Sequence, residues 1–587
     1  MHVLLYVCAE NNRKVLRSKI AGCQKMRSKE ILKASEVPSF NKYLQDAIIK
    51  HWNLNAFSDY KGVTLQYHDV ARKIEKLHIL FRESGIERGD KIALCGRSTG
   101  NWACSIFAIW TYGAVAVPLL NEFTPEQIHN CVNHSDARLL FVGDYVKTVI
   151  SPDEMPNLEG IINIPDFSLF VCRNEKLAFA RQNLNAMFGK QYPERFTKAD
   201  VSYYIEEDSN ELALINYTSG TTGTPKGVMI PYRAMWSNLN FAWEEMGSQL
   251  MPGENFVSML PLAHMFGLAF DVIYPFTQGR QVWFLNRAPS PALLIGMLTD
   301  KKPTLIITVP MVVEKIVRKK IFPKIQTHRM KLLLHTPTLR KKVKNKIRSQ
   351  FIQALGGQFC QLVMGGAALN AEVEDFLKDM EIPYCVGYGA TECAPLIAYS
   401  YYTDMEAGCC GRPVTNIEVR IDSNDPQNYP GEILVRGLNV MLGYYKNEEE
   451  TKKAIDKDGW YHTGDLGVIS EGGFLYIKGR IKNMLLSSNG QNIYPEEIED
   501  KLNSLPFVLE SIVVQRKQLL VALVYPDYDE AAKMGLDKKD LQALMTQENL
   551  PTLNAQMPTY SKVAKIELRD EEFEKTAKKS IRRFLYK

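Results

Sequence analysis

Short apolar segments alternate with longer helix-patterned segments through the first two thirds of this 587-residue chain. The apolar segments are of strand length and predict buried strands at residues 91–95, 113–119, 139–142 and 305–308. Helical patterns lie between them, for example at 67–84 and 102–112. Alternation of this kind predicts a layered α/β fold built on mainly parallel sheets.

The pattern changes toward the C-terminus. Short strands separated by turns between residues 417 and 443 predict a small β-rich subdomain. A helix at 495–505, strands at 511–514 and 519–525 and a second helix at 538–546 predict a small, mobile α+β C-terminal domain. We therefore expect an N-terminal domain over 37–480 and a C-terminal domain over 481–587.

We predict that residues 1–36 form a leader that precedes the folded domains. It is either disordered or the product of an upstream start site, with Met26 as the natural initiator. The chain has no run of 18 apolar residues, and its cysteines show no disulfide or metal spacing, so we expect a cytoplasmic protein. A net charge of +5 gives no indication of nucleic-acid binding.

Residues 218–227 read Thr-Ser-Gly-Thr-Thr-Gly-Thr-Pro-Lys-Gly. Glycines let backbone N–H groups surround an anion, hydroxyls add donors, and the lysine adds a charge. The common P-loop would need Gly and Ser or Thr where this chain has Pro225 and Gly227. Apolar strands at 212–217 and 228–230 flank the loop, so we predict a polyphosphate site between two strands. Its candidate residues are Thr218, Ser219, Gly220, Thr221, Thr222, Gly223 and Lys226.

Four further motifs follow in order. They are Gly-Gly-Ala-Ala-Leu at 365–369, Gly-Tyr-Gly-Ala-Thr-Glu at 387–392, Gly-Trp-Tyr-His-Thr-Gly-Asp at 459–465, and Gly-Arg-Ile-Lys-Asn at 479–483 continuing into Tyr-Pro-Glu-Glu-Ile-Glu at 494–499. With the loop at 218–227, they resemble the adenylate-forming superfamily, and in particular its long-chain fatty acid–CoA ligases. The resemblance covers the chain from about residue 64 to the C-terminus.

The residue types suit the roles that this resemblance implies. An aromatic ring such as that of Tyr388 can lie on a purine, and Glu392 offers the hard oxygen ligand that Mg²⁺ prefers. Asp465 can accept hydrogen bonds from both hydroxyls of a ribose. The resemblance implies that Thr218 and Glu392 hold the metal. It implies that ATP is bound, beyond the loop, by Gly366, Ala367, Tyr388, Gly389, Thr391, Asp465 and Arg480.

The resemblance also implies a reaction in two steps. A fatty acid carboxylate attacks ATP to form an acyl-adenylate, and coenzyme A then takes the acyl group and releases AMP. His264 matches the acyl-site motif, Lys482 the hinge of the C-terminal domain, and Ser488, Asn489 and Gly490 the loop along the path of coenzyme A. The adenylation lysine is less regular, because the usual glycine is missing; we favour Lys579 over Lys578.

Residues 314–350 hold thirteen Lys or Arg and a single acid, with apolar residues between them. This segment is either a solvated helical surface or, over 315–348, a peripheral contact with the inner face of a membrane. Its presence resembles the long-chain branch and favours medium- to long-chain fatty acids as substrates. The sequence leaves two alternatives open: transfer to a carrier protein in place of coenzyme A, and a relative that binds nucleotide or acyl groups without catalysis.

Overall fold

The computed structural model describes residues 31–218, 225–246, 251–287, 290–325, 327, 330, 333, 336–487, 491–517, 519–576 and 581–586. Most of the predicted leader, the loop at 219–224, the segment 488–490 and the lysines 578 and 579 therefore lie outside the described residues. Among the helices that are described, none combines the length and the apolar character needed to cross a membrane.

The helices of the described chain, in order, are α1 (Phe40–Lys50), α2 (Tyr67–Ser84), α3 (Gly100–Tyr112), α4 (Pro125–His134), α5 (Asp144–Val149), α6 (Glu175–Gln191), α7 (Tyr232–Glu245), α8 (Met265–Gly267), α9 (Tyr274–Thr277), α10 (Pro291–Lys301), α11 (Pro310–Ile316), α12 (Phe322–Ile325), α13 (Pro337–Ala354), α14 (Ala371–Asp379), α15 (Glu448–Ala454), α16 (Pro495–Asn503), α17 (Tyr528–Lys533), α18 (Lys538–Leu544) and α19 (Leu550–Ala555). A π-helical segment, Leu268–Ile273, joins α8 to α9.

The strands are β1 (Asn55–Asp59), β2 (Thr64–Gln66), β3 (Lys91–Cys95), β4 (Val115–Leu119), β5 (Ala137–Val142), β6 (Gly160–Asn163), β7 (Leu169–Cys172), β8 (Leu212–Thr218), β9 (Lys226–Pro231), β10 (Asn255–Ser258), β11 (Gln281–Phe284), β12 (Leu305–Thr308), β13 (Gln361–Gly365), β14 (Tyr384–Gly389), β15 (Leu396–Tyr399), β16 (Arg412–Pro413), β17 (Ile417–Asp422), β18 (Gly431–Gly437), β19 (Gly443–Tyr444), β20 (Tyr461–Ile469), β21 (Leu475–Arg480), β22 (Leu485–Leu486), β23 (Asn492–Ile493), β24 (Val508–Arg516), β25 (Leu519–Pro526) and β26 (Val563–Leu568).

Three sheets build the large domain. The first runs β19-β9-β8-β4-β3-β5-β6-β7, the second β12-β13-β14-β15-β16, and the third β10-β11-β1-β2. Each sheet contains a run of parallel strands, and antiparallel pairs such as β8 with β9 and β14 with β15 complete it at one or both ends. The predicted layered α/β fold is confirmed.

Helices α2 and α3 illustrate how local sequence sets this architecture. Helix α2 covers the residues predicted for it and ends at Gly85, whose φ of +81° suits a glycine. Helix α3 begins after Thr99, whose side chain accepts a hydrogen bond from the backbone N–H of Trp102. Nearly every side chain of α3 is buried, because the helix packs within the core rather than on its surface.

The predicted β-rich subdomain is the antiparallel sheet β17-β18-β20-β21, which extends to Arg480, beyond the predicted range of 417–443. In the C-terminal region, the sheet β24-β25-β26 packs against α16 and the helices that follow. Two further details differ from the sequence prediction. Helix α18 continues through a π-helical turn into α19, and strand β26 was not predicted.

Candidate active site

The predicted polyphosphate loop connects two strands of one hairpin. Strands β8 and β9 are antiparallel, and Thr218 at the end of β8 is the direct partner of Lys226 at the start of β9. Residues 219–224, which include the predicted Ser219, Gly220, Thr221, Thr222 and Gly223, lie outside the described residues. The hairpin brings the two described ends of the loop together, which is the arrangement that the flanking apolar strands predicted.

Lys226 forms an ion pair with Glu450 of helix α15. Its Nζ also lies 5.1 Å from the centroid of the Tyr444 ring, within the range of a cation–π contact. The hydrogen bond from Lys226 is the main reason that the pKa of Glu450 falls to about 2, with Lys453 contributing as well. A lysine that already binds a carboxylate at the mouth of a glycine-rich hairpin is suited to bind a phosphate there.

The second part of the site lies where the parallel strands β13 and β14 end. Gly365 and Gly387 are direct partners across these strands, and the exposed Gly366 and Ala367 follow at the carboxyl end of β13. At the end of β14, a Cβ added to Gly389 would lie 2.0 Å from the carbonyl oxygen of Pro395, so no side chain fits. Ligands of open α/β sheets bind at the carboxyl ends of parallel strands.

Glu392 lies in the turn Thr391–Cys393, directly after β14. The Tyr444 hydroxyl donates a hydrogen bond of 3.0 Å to Glu392 Oε1, and the backbone N–H of Met441 donates to the Glu392 carbonyl at 2.9 Å. Burial, with Glu392 beside it, raises the pKa of Tyr444, which keeps the phenol protonated as a donor.

No group of three or more His, Cys, Asp or Glu side chains placed to hold a metal occurs within the described residues. A single oriented carboxylate next to a phosphate site nevertheless fits Mg²⁺, since this ion usually takes one or two protein carboxylates together with substrate phosphates. The half-buried Glu392 and the nearby Thr218 are therefore compatible with the predicted metal role.

Asp465 joins two other predicted nucleotide residues. The Tyr388 hydroxyl donates to Asp465 Oδ2 at 2.7 Å, and Arg480 Nε lies 3.0 Å from Asp465 Oδ1. Asp465 and Arg480 are direct partners across β20 and β21, although fourteen residues separate them in the chain. Burial raises the pKa of Asp465, and the charge of Arg480 opposes this shift. Tyr388, predicted to lie on the adenine, and Asp465, predicted to bind the ribose, are thus in direct contact.

His264 precedes helix α8 and is held near the end of β13. The side chain of Asn216 in β8 donates to the Ala263 carbonyl at 2.8 Å. Phe266 packs against Gly365, where an added Cβ would lie 3.1 Å from its ring. These contacts place the predicted acyl-site histidine, which is half-buried, beside the carboxyl ends of the parallel strands.

The buried carboxylate of Asp271 anchors the chain segment that leads to His264. It accepts hydrogen bonds from the backbone N–H groups of Met259 (2.8 Å) and Leu260 (2.9 Å). Burial raises the pKa of Asp271 to about 7, while these N–H donors oppose the shift. The turn that leads to His264 is therefore anchored by a buried side chain.

A narrow apolar cavity lies between the two segments that carry His264 and Glu392. Met265 follows His264 directly, and Ala394 comes two residues after Glu392. The residues that line the cavity are Met235, Leu239, Met265, Ala269, Ile273 and Ala394. With a volume of about 10 Å³ the cavity has room for about one water molecule, so it marks apolar packing between these segments rather than a channel for a chain.

Lys482 lies exposed in the turn Ile481–Asn483, directly after Arg480. Lys478 of β21 lies with its Nζ 3.1 Å from Glu497 of α16, across the turn, and within the C-terminal region Asn483 donates to Glu496 at 2.6 Å. The predicted Ser488, Asn489 and Gly490, a few residues further on, lie outside the described residues.

Lys579 also lies outside the described residues, but the chain on both sides of it is described. Lys575 and Ile581, which flank it in the chain, pair as an isolated antiparallel bridge. Two residues after Ile581, Arg583 forms an ion pair with the buried Glu499 of α16, and burial raises the pKa of Glu499 to about 7.

Two residues at this site were not predicted from the sequence. Tyr444 contacts Glu392, and Glu450 contacts Lys226. The signal that could have found them is local: a Gly-Tyr-Tyr stretch at 443–445 and three consecutive acids, 448–450, at the start of a helix. Neither pattern indicates which distant residue it will meet.

Comparison with known proteins supports the architecture. A family model described as AMP-binding enzyme matches residues 44–445, and one described as AMP-binding enzyme C-terminal domain matches residues 482–586. Among solved structures, the anthranilate CoA ligase AuaEII in complex with anthranoyl-AMP superposes with a TM-score of 0.75 at 20% identity, covering 94% of this chain and 98% of that one. The o-succinylbenzoate coenzyme A synthetase MenE of Bacillus subtilis, in complex with ATP and magnesium ion, gives 0.70 at 18% identity, covering 92% and 98%.

Similar curated proteins include long-chain-fatty-acid–CoA ligases from distant organisms. FadD15 of Mycobacterium bovis is 29% identical over 488 residues, covering 78% of this chain and 76% of that protein. The Escherichia coli enzyme is 28% identical over 520 residues, covering 85% and 86%. Human ACSBG2 is 26% identical over 527 residues, covering 84% and 76%. With the family models spanning both the hairpin site and the C-terminal region, the chain belongs to the AMP-binding enzyme family.

Proposed function

We propose that this protein is an ATP-dependent ligase that joins medium- to long-chain fatty acids to coenzyme A through an acyl-adenylate. The observation that carries the proposal is the contact of Asp465 with both Tyr388 and Arg480, which assembles the predicted adenine and ribose residues. The similarity to curated long-chain-fatty-acid–CoA ligases supports the same substrate class.

Each part of the site has a role in this proposal. Thr218, Lys226 and the loop between them bind the β- and γ-phosphates of ATP, and Glu392 with Thr218 holds Mg²⁺, which would neutralise phosphate charge. Asp465 and Arg480 bind the ribose. Gly366, Ala367, Tyr388, Gly389 and Thr391 form the adenine side, and His264 lies at the acyl carboxylate. Catalysis then depends mainly on positioning and charge neutralisation.

Thioester formation needs a different set of contacts. In the proposal, the C-terminal domain, residues 481–587, rotates about Lys482 after adenylation. Lys579 leaves the α-phosphate, and the loop with Ser488, Asn489 and Gly490 takes its place beside coenzyme A. The exposed position of Lys482 between the two domains is compatible with a hinge.

The acid specificity provides the direct test. With ATP and coenzyme A, the rate measured from acetate to stearate should rise with chain length, because two added methylenes contribute about 1.6 kcal/mol of binding, more than tenfold in affinity. A maximum at acetate or at an aryl acid would exclude the fatty-acid assignment.

The same protein preparation distinguishes the proposed function from two alternative functions. Transfer to the phosphopantetheine arm of a carrier protein would appear as turnover with a loaded carrier far above turnover with free coenzyme A. A non-catalytic binding protein would bind ATP but show no exchange of pyrophosphate into ATP with any acid.

The basic segment 315–348 is proposed as a contact with anionic membrane. Four of its side chains already pair with acids near α14: Arg318 with Glu372, Arg340 and Lys344 with Asp379, and Arg348 with Glu381. Other basic residues of α13 are exposed, among them Lys341 and Lys342, and Leu339 is 40% exposed beside them. The exposed lysines and the apolar side chain support the membrane contact.

Co-sedimentation with vesicles tests this contact. Binding to anionic vesicles should weaken about tenfold or more when Lys341 and Lys342 are both replaced by Gln, because each basic residue near an anionic surface contributes about 1 kcal/mol. The matched control replaces the exposed Lys176 and Lys190 of α6. Equal binding to neutral and anionic vesicles would leave only a solvated surface.

A further inference from the structure

Glu450 forms an ion pair with Lys226, the lysine that the proposed reaction needs for binding phosphate. Lys226 starts strand β9 opposite Thr218, and its ammonium forms an ion pair with Glu450. The two side chains are 28% and 33% exposed, so an anion entering from solvent can reach the pair. Carboxylate and phosphate would compete for one cation.

The position of Glu450 is set by the fold. Helix α15 is capped by Asn447, whose side chain accepts a hydrogen bond from the backbone N–H of Glu450 at 3.1 Å. Strand β19, just before the helix, pairs with β9, and Tyr444 lies opposite Val228, two residues after Lys226. Because helix and lysine are tied to the same strand, the carboxylate stays within reach of the lysine.

Glu450 also has a second cation. Lys453 Nζ lies 3.1 Å from Glu450 Oε1 and 2.6 Å from Glu449 Oε1. If a phosphate takes Lys226, Glu450 keeps an ion pair with Lys453 and is not left without a partner. Exchange of Lys226 between carboxylate and phosphate therefore needs no rearrangement of the helix.

From this geometry we infer that Glu450 competes with polyphosphate for Lys226: the phosphates of ATP displace it toward Lys453, and it returns to Lys226 as pyrophosphate leaves. This inference rests on the proposed function, since it assigns Lys226 to the β- and γ-phosphates. Its consequence is that Glu450 weakens the binding of pyrophosphate and so favours its release.

Binding of inorganic pyrophosphate with Mg²⁺ to the full-length chain, measured by calorimetry, tests this role. E450Q keeps the shape of the side chain and removes the competing charge, so its dissociation constant should fall about two- to fivefold, the range expected for a partly exposed ion pair. E449Q is the matched control, because Glu449 is 81% exposed and pairs with Lys453 rather than with Lys226; it should leave binding unchanged.

Variants of the second cation should act in the opposite direction. K453M removes the alternative partner of Glu450, so pyrophosphate should bind severalfold more weakly than it does to K452M. Lys452 is the matched control, as it is 80% exposed and pairs with Glu448. In a K226M background, E450Q should have no effect, because the shared cation is gone.

The possible outcomes distinguish the role of Glu450 from the proposed function itself. Weaker binding to E450Q would mean that Glu450 orients Lys226 for phosphate, and an equal gain in E449Q would mean general repulsion; either result overturns the inference. Wild-type protein that binds neither pyrophosphate nor ATP would overturn the proposed function itself. Wild-type binding that E450Q leaves unchanged would overturn the inference alone.

Discussion

Lys579→Ala should slow formation of the acyl-adenylate by about 10²–10³-fold, the usual effect of removing a group that stabilises charge in a transition state. The proposed ammonium would lie beside the α-phosphate, where negative charge grows as the carboxylate attacks. Lys575 and Ile581, which flank Lys579 in the chain, pair as an isolated antiparallel bridge.

The two half-reactions separate this role from a general loss of stability. Exchange of pyrophosphate into ATP should fall in Lys579→Ala, while thioester formation from prepared acyl-AMP and coenzyme A should be largely retained. Lys578→Ala is the neighbouring control and should do much less. If neither substitution slows the exchange, Lys579 is not the adenylation lysine; if Lys578→Ala alone slows it, the assignment shifts by one residue.

Asp465→Ala should lower kcat/KM for ATP by about 10²-fold or more. In the proposed function its carboxylate accepts hydrogen bonds from both ribose hydroxyls, and each hydrogen bond to a charged group contributes about 1.5–3 kcal/mol. The substitution also removes the partner of the Tyr388 hydroxyl and of Arg480. Loss of one carboxylate therefore disturbs three predicted nucleotide residues together.

Steady-state kinetics with ATP varied and then with fatty acid varied provide the measurement. The loss should appear mainly in the KM for ATP. Tyr388→Phe removes a single hydrogen bond to Asp465 and should cost much less, and Asp456→Ala, on the loop before β20, should change little because Asp456 bonds locally to Trp460 and Asp458. A loss confined to the KM of the fatty acid would contradict the ribose assignment.

Local patterns predicted much of this fold. Strand β12 and helix α2 occupy the predicted residues, because an unbroken apolar run and a 3.6-residue periodicity each encode an element within a few turns of chain. Strand β26 was missed since charged residues interrupt it, and it is recognised only by its parallel pairing with β25. Its structure depends on pairing with residues more than forty positions away in the chain.

The candidate site shows the same division. The sequence motifs identified Lys226, Glu392, Asp465 and Arg480 as site residues, because glycines and charged residues at fixed spacing can be recognised within a short stretch of chain. The pairing of Asp465 with Arg480 follows from the register of a sheet, and the pairing of Lys226 with Glu450 spans more than two hundred residues. Such contacts arise from tertiary packing, so no local pattern could have revealed them.

The ion pair between Arg583 and the buried Glu499 has a consequence for the proposed rotation at Lys482. Helix α16 begins a dozen residues after this lysine, and its Glu499 holds the chain just beyond the connection that carries Lys579. This ion pair therefore links helix α16, which lies close to the proposed hinge in the chain, to the C-terminal segment that contains Arg583. A rotation about Lys482 would then carry helix α16 and the segment around Arg583 together, and the angle at one exposed turn would decide which half-reaction the enzyme can perform.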